Sequence, residues 1–133
     1  MNLVVDTNRV IAALLKDSSS RKTIKNVDYA FITPDFSLEE INKYKTVLCK
    51  KSGLTEEDFD ILLTLIFSTI EIIPKSDYKD FIGEAEKLIG ERDAKDIPFL
   101  ALAIAKKVDG IWSDDKDFLV QSRIKIYKTV DLI

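Results

Sequence analysis

The amino-acid sequence predicts an α/β fold built on a parallel sheet, and three observations carry that expectation. Short apolar runs recur along the chain. Amphipathic stretches long enough to form crossover helices separate most of them. Acidic residues stand directly after two of the runs, where an open parallel sheet binds its ligands.

Five runs read as strands: Asn2 to Val5, Tyr29 to Ile32, Ile70 to Ile73, Gly110 to Ser113 and Ile124 to Tyr127. After the second, Thr33-Pro34 supplies a capping residue and a proline at the first helical position, so one helix is expected to run to about Ser52 and stop at Gly53. Thr55-Glu56-Glu57-Asp58 resembles a capping box with Asp in place of Glu, and Phe59, Leu62, Leu63 and Ile66 follow as one apolar stripe. Tyr78, Phe81, Ile82, Ala85, Leu88 and Ile89 repeat that spacing, with Gly90 just past the end. From Ala94 to Lys107 the apolar residues cover nearly all sides, which predicts the most buried helix, with Pro98 in its first turn or bending it.

The 133 residues fit one domain, expected to span the whole chain from 1 to 133. Hydrophobic residues make up 46% and charged residues 32%, which separates the chain from disordered sequences of low hydrophobicity and high charge. No apolar stretch is long enough for a membrane span, and the start lacks the features of a signal peptide. A cytoplasmic protein with no membrane partner is therefore expected. The lone Cys49 excludes an intramolecular disulfide. A net charge of −3 means that a nucleic-acid partner must be held by a local basic patch or by metal. The absence of histidine removes the commonest general base and transition-metal ligand.

The acids then become the centre of interest. Asp6 follows the first strand, and Asp114 and Asp115 follow the fourth. Asp93 and Asp96 compete for the cap of the buried helix, and the cap is assigned to Asp93 and the inward position to Asp96. Glu39 and Glu40 lie in the first half of the helix after strand two, about 100° apart, so one of them faces inward. Each acid also has a plainer role, as a strand end, a turn, a cap or a solvated helix face. Those plainer roles would have to bring every acid to one sheet edge by accident. Carboxylates gathered there repel unless a cation neutralises them, and oxygen ligands favour magnesium or manganese.

The motifs built on these acids resemble those of the PIN domain, a metal-dependent nuclease module, and especially single-domain VapC-type toxins. Val4-Val5-Asp6-Thr7-Asn8 is similar to the first motif. The stretch Thr33 to Ile41 is similar to the second and implies Glu40 rather than Glu39, while Asp93 to Ala103 is similar to the third, with Asp96 as ligand. Ser113-Asp114-Asp115-Lys116-Asp117 resembles the fourth and implies Asp115 as ligand with Asp117 auxiliary. The resemblance implies a three-layer α/β/α sandwich and hydrolysis of RNA phosphodiester bonds. It also implies a homodimer and, for a toxin, an antitoxin protein.

On that basis Asp6, Glu40, Asp96 and Asp115 are the expected catalytic residues, and Asp6, Asp96, Asp115 and Asp117 the metal ligands. Thr7, Asn8 and Ser113 are expected to orient the acids by hydrogen bonds. Arg9 and Lys116 are candidates for holding phosphate. Lys43 and Lys50, two turns apart, would share one helix face. Two other classes compete. Phosphoaspartate chemistry fits poorly, because a phosphatase wants a second Asp where Asn8 stands, and a receiver wants its acceptor where Pro74 and Lys75 follow strand three. An inert binding module fits poorly because all four acids are present.

Overall fold

The computed structural model describes residues 1–90 and 93–133. A sheet of five strands, all parallel, runs in the order β3-β2-β1-β4-β5. The strands are β1 (Asn2–Val5), β2 (Ala30–Pro34), β3 (Ile70–Ile73), β4 (Gly110–Trp112) and β5 (Ile126–Tyr127). The chain winds outward from β1 through β2 to β3, then returns to place β4 on the other side of β1. The gap between β1 and β4 is thus the topological switch point, the crevice where such sheets bind ligands.

Alternation along β1 explains the layers. Leu3 and Val5 point to one face and Val4 to the other, each fully buried. On the first face Leu3, Val5, Phe31 and Trp112 pack under α1 (Thr7–Leu14), α2 (Ser18–Ile24) and α5 (Glu56–Phe67), through residues such as Val10, Ile24 and Phe59. On the second, Val4 and Ile111 meet α6 (Ile82–Ile89) and α7 (Ile97–Lys106). The result is the expected sandwich. Residues Phe99 to Ala103 of α7 are sealed from solvent, as the all-round apolar pattern requires, and Pro98 lies in the first turn.

Local chemistry sets several boundaries. Thr55 caps α5 by accepting the Asp58 amide at 3.1 Å. Gly53 and Gly90 end their helices with φ of 73° and 75°, a conformation other residues adopt only with strain.

Three expectations need correction. Thr33 and Pro34 belong to β2, not to a helix start: the Thr33 hydroxyl donates to the Val5 carbonyl on β1 at 2.9 Å, and the next helix begins at Asp35. That helix is interrupted at Tyr44, where φ and ψ are −100° and 10°, dividing it into α3 (Asp35–Lys43) and α4 (Lys45–Ser52). Lys43 and Lys50 are therefore on different helices, and two-turn spacing no longer relates them. The stripe from Tyr78 to Ile89 begins with a 3-10 turn at Lys79–Phe81 before α6, and the Tyr78 hydroxyl donates to the Asp35 carboxylate at the start of α3 at 2.6 Å. The last element is α8 (Thr129–Leu132), which closes over β5.

Candidate functional site

Asp6 is the first residue beyond β1, and its amide bonds the Trp112 carbonyl of β4 at 3.1 Å. That step carries β1 one residue past its apolar run and sets the Asp6 carboxylate at the mouth of the switch-point crevice, 5% exposed. Ser113, the corresponding first residue beyond β4, donates its hydroxyl to Asp6 Oδ2 at 2.7 Å and accepts the Asp115 amide at 3.0 Å. Asp115 Oδ1 accepts the Asp117 amide at 2.9 Å, which curls the loop into a 3-10 turn beginning at Lys116.

From the other direction, the segment before α7 delivers two acids. Asp93 Oδ1 accepts the Lys95 amide at 3.0 Å and caps the 3-10 turn Ala94–Asp96. Asp96 is 5% exposed, and its Oδ2 is buried without a hydrogen-bond partner. Carboxylate oxygens of Asp93, Asp96, Asp115 and Asp117 all lie within 4.8 Å of one another. Asp93 therefore joins the group while also acting as a cap, a double role that the sequence reading missed. A signal existed: Asp93 and Asp96 are three residues apart, a spacing that brings side chains to one side of a helical turn.

Asp6 and Glu40 stand beside this foursome rather than inside it. Both border the same cleft of about 420 Å³, together with Asp93, Asp96 and Asp115. Thr7, the first residue of α1, places its hydroxyl 2.9 Å from Glu40 Oε1 and 3.0 Å from the buried Ser37 hydroxyl, which ties α1 to α3. Glu39, the rejected neighbour, is exposed. Asn8 acts on Asp6 through its backbone amide, and its side chain is exposed at the cleft edge.

The two candidates for holding phosphate are elsewhere. Arg9 turns away from the cleft, pairing with Asp114 Oδ2 at 2.7 Å and reaching Thr129 of α8 at 3.3 Å. Thr129 in turn donates its amide and hydroxyl to Asp114 and accepts the Trp112 indole N–H. Arg9 thus belongs to a structural network, because Asp114 offers a closer and permanent anion. Lys116 is exposed and outside the cleft wall, whereas Lys51 and Lys95 line it.

The electrostatics follow from crowding. Burial pushes the Asp96 carboxyl up to about 8, reinforced by the charges of Asp115 and Asp93. Burial also raises Asp6, to about 6, against the opposing effect of the Ser113 hydrogen bond. Desolvation raises Glu40, opposed by Thr7. Crowded, partly dry carboxylates with an orphaned buried oxygen suit a hard divalent cation: all donors are oxygen, and a cation satisfies Asp96 Oδ2 while relieving the mutual repulsion. The residues fit magnesium or manganese.

Comparison with known proteins agrees with this architecture. A crystal structure of VapBC2 from Rickettsia felis bound to a DNA fragment from their promoter contains a chain that superposes with a TM-score of 0.73, at 19% identity, over 96% of this chain and 98% of that one. At that identity the likeness speaks to fold. No curated protein matched the sequence. A family model described as the PIN domain matches residues 4–130. With nearly the whole length matched and an acidic cluster at the switch point, the chain belongs to the PIN domain family.

Proposed function

We propose that this protein is a magnesium- or manganese-dependent endoribonuclease, the toxin component of a toxin-antitoxin pair. The observation that carries the proposal is the convergence of four aspartates around the unpartnered Asp96 oxygen in an open cleft. Asp96, Asp115 and Asp117, joined by Asp93, would hold the ion, with Asp6 completing the set from β1. When bound, the ion would polarise a phosphoryl oxygen and lower the pKa of a water.

The chain's own groups do the remaining work. Glu40 is half-buried, its carboxyl is raised, and Thr7 engages only one of its oxygens. The free oxygen is the proton acceptor for the attacking water, a role that a histidine-free chain must give to a carboxylate. Ser113 holds Asp6 and the Asp115 loop in a fixed relation, so that the ligands need not reorganise during attack.

An antitoxin partner belongs to the same proposal, supported by the likeness to the VapBC2 structure, and a homodimer and a cytoplasmic location are proposed with it from the motif resemblance alone. Among the described residues no helix is long and apolar enough to cross a membrane. The test is cleavage of mixed RNA and single-stranded DNA with magnesium or manganese, using Asp96→Asn as control. Metal-dependent RNA cleavage that the substitution and a chelator both abolish is expected. Full cleavage by purified Asp96→Asn, or none by the wild type with either metal, overturns the proposal.

A further inference from the structure

The cleft is much larger than an ion requires. Magnesium sits about 2.1 Å from its ligands and fills a small part of 420 Å³, a volume in the range of about 300–1,000 Å³ typical of organic-ligand sites. Away from the acids the wall changes character. Ile11, Leu15 and Val47 supply apolar surface, and Tyr44 and Lys51 stand beside them.

Tyr44 occupies the break between α3 and α4, and the residue is 38% exposed. It also borders an adjoining hollow shared with Lys43 and Lys95. Lys43 Nζ lies over the ring at 5.5 Å and Lys95 Nζ over it at 5.7 Å from the centroid, so a base stacking on the ring takes the place of these ammonium groups, whose long flexible stems can swing aside. Among the described residues neither they nor Lys51 forms an ion pair, although Lys45 nearby is paired with Asp60. Beside the carboxylates the cleft therefore carries an exposed aromatic ring with ammonium groups over it, and Glu39 and Glu40 border the same hollow.

Resting on the ribonuclease reading, we propose that Tyr44 is a stacking platform for an unpaired nucleobase next to the scissile phosphate, with Lys43, Lys51 and Lys95 meeting the flanking phosphates. An aromatic face with cations around it is the chemistry that single-stranded nucleic acid recognises, since every base presents a π-face and every linkage a negative charge. The apolar wall at Ile11, Leu15 and Val47 receives the edge of the base away from water. Base-paired RNA keeps its bases stacked inside the helix and cannot present one to Tyr44.

The experiment measures binding apart from cleavage. In an Asp96→Asn background with magnesium, a single-stranded RNA carrying 2-aminopurine is titrated against proteins bearing Tyr44, Tyr44→Phe or Tyr44→Ala, reading anisotropy and base fluorescence. Tyr44→Ala should weaken binding about tenfold and abolish the fluorescence quenching, whereas Tyr44→Phe, which keeps the ring, should stay within about twofold. In cleavage by the protein with Asp96 intact, Tyr44→Ala should raise KM with kcat little changed. Unchanged affinity and quenching in Tyr44→Ala, no binding by the parent, or equal affinity for duplex RNA would each overturn the proposal. If the wild type cuts no RNA, the ribonuclease reading fails on its own, and the binding comparison still decides the role of Tyr44.

Discussion

The Ser113 hydroxyl reaches across from β4 to Asp6 Oδ2 on β1, 2.7 Å away, while accepting the Asp115 amide at 3.0 Å. One buried oxygen thereby fixes the spacing between two acids 109 residues apart in sequence, by their numbers 115 and 6. Ser113→Ala should leave Asp6 Oδ2 and the Asp115 amide without this partner. A loss of about 1–3 kcal/mol in stability is expected, with weaker metal binding, because the ligand loop is no longer anchored. Chemical denaturation and calorimetric titration with manganese check both parts; unchanged values in each would show that the hydroxyl is dispensable.

The pH dependence of the metal-free protein has a definite sign. Asp96 and Asp6 titrate at about 8 and about 6 in the folded state, against 3.8 for an unperturbed aspartate, so the folded chain holds these protons more tightly than the unfolded one. Their contribution to stability is full below about pH 4 and is lost as pH rises, through about 6 for Asp6 and about 8 for Asp96. Melting in chelator at about pH 5 and about pH 8.5 should give the lower Tm at the higher pH, with a shallower decline in Asp96→Asn. Manganese should raise Tm more at the higher pH, and its binding should release protons. A decline equally steep in Asp96→Asn would remove Asp96 as its source.

Arg9 is held by Asp114 and Thr129, so its loss should be felt as instability rather than as weakened phosphate binding. The pair is partly screened, which limits its own contribution to about 1 kcal/mol. Arg9→Ala strands Asp114 beside Thr129 and loosens α8 over β5, with a total cost of about 1–2 kcal/mol. Substrate affinity of the protein that remains folded should be unchanged. A large rise in KM at wild-type Tm would return Arg9 to the cleft.

What could be foreseen depended on whether the cause was local. The runs 2–5 and 70–73 match their strands because apolar, mostly β-branched residues between breaks leave few alternatives. The positions of Asp6 and Asp115 were also legible, since a strand end is a place that sequence can mark. Thr33 misled because its hydroxyl has a partner on another strand, the Val5 carbonyl, and nothing nearby reveals that. The interruption at Tyr44 carries neither proline nor glycine, so no residue at the break marks it in the sequence. Arg9 looked like a free cation beside the first motif, but its partner Thr129 lies 120 residues away. Asp93 was given one role when a carboxylate has two oxygens and can fill two.

The acids arrive from β1, from the turn before α7 and from the loop after β4, and none of these segments gathers a pocket alone. During synthesis the ribosome releases Asp6 first and Asp93 to Asp117 much later, with the Thr129 tie to Asp114 later still. A growing chain thus carries its first aspartate through most of translation with nothing to share an ion with. The acidic cluster comes into being only once Asp117 has been made, so a chain halted before that residue has no complete pocket, however much of the sheet has already formed.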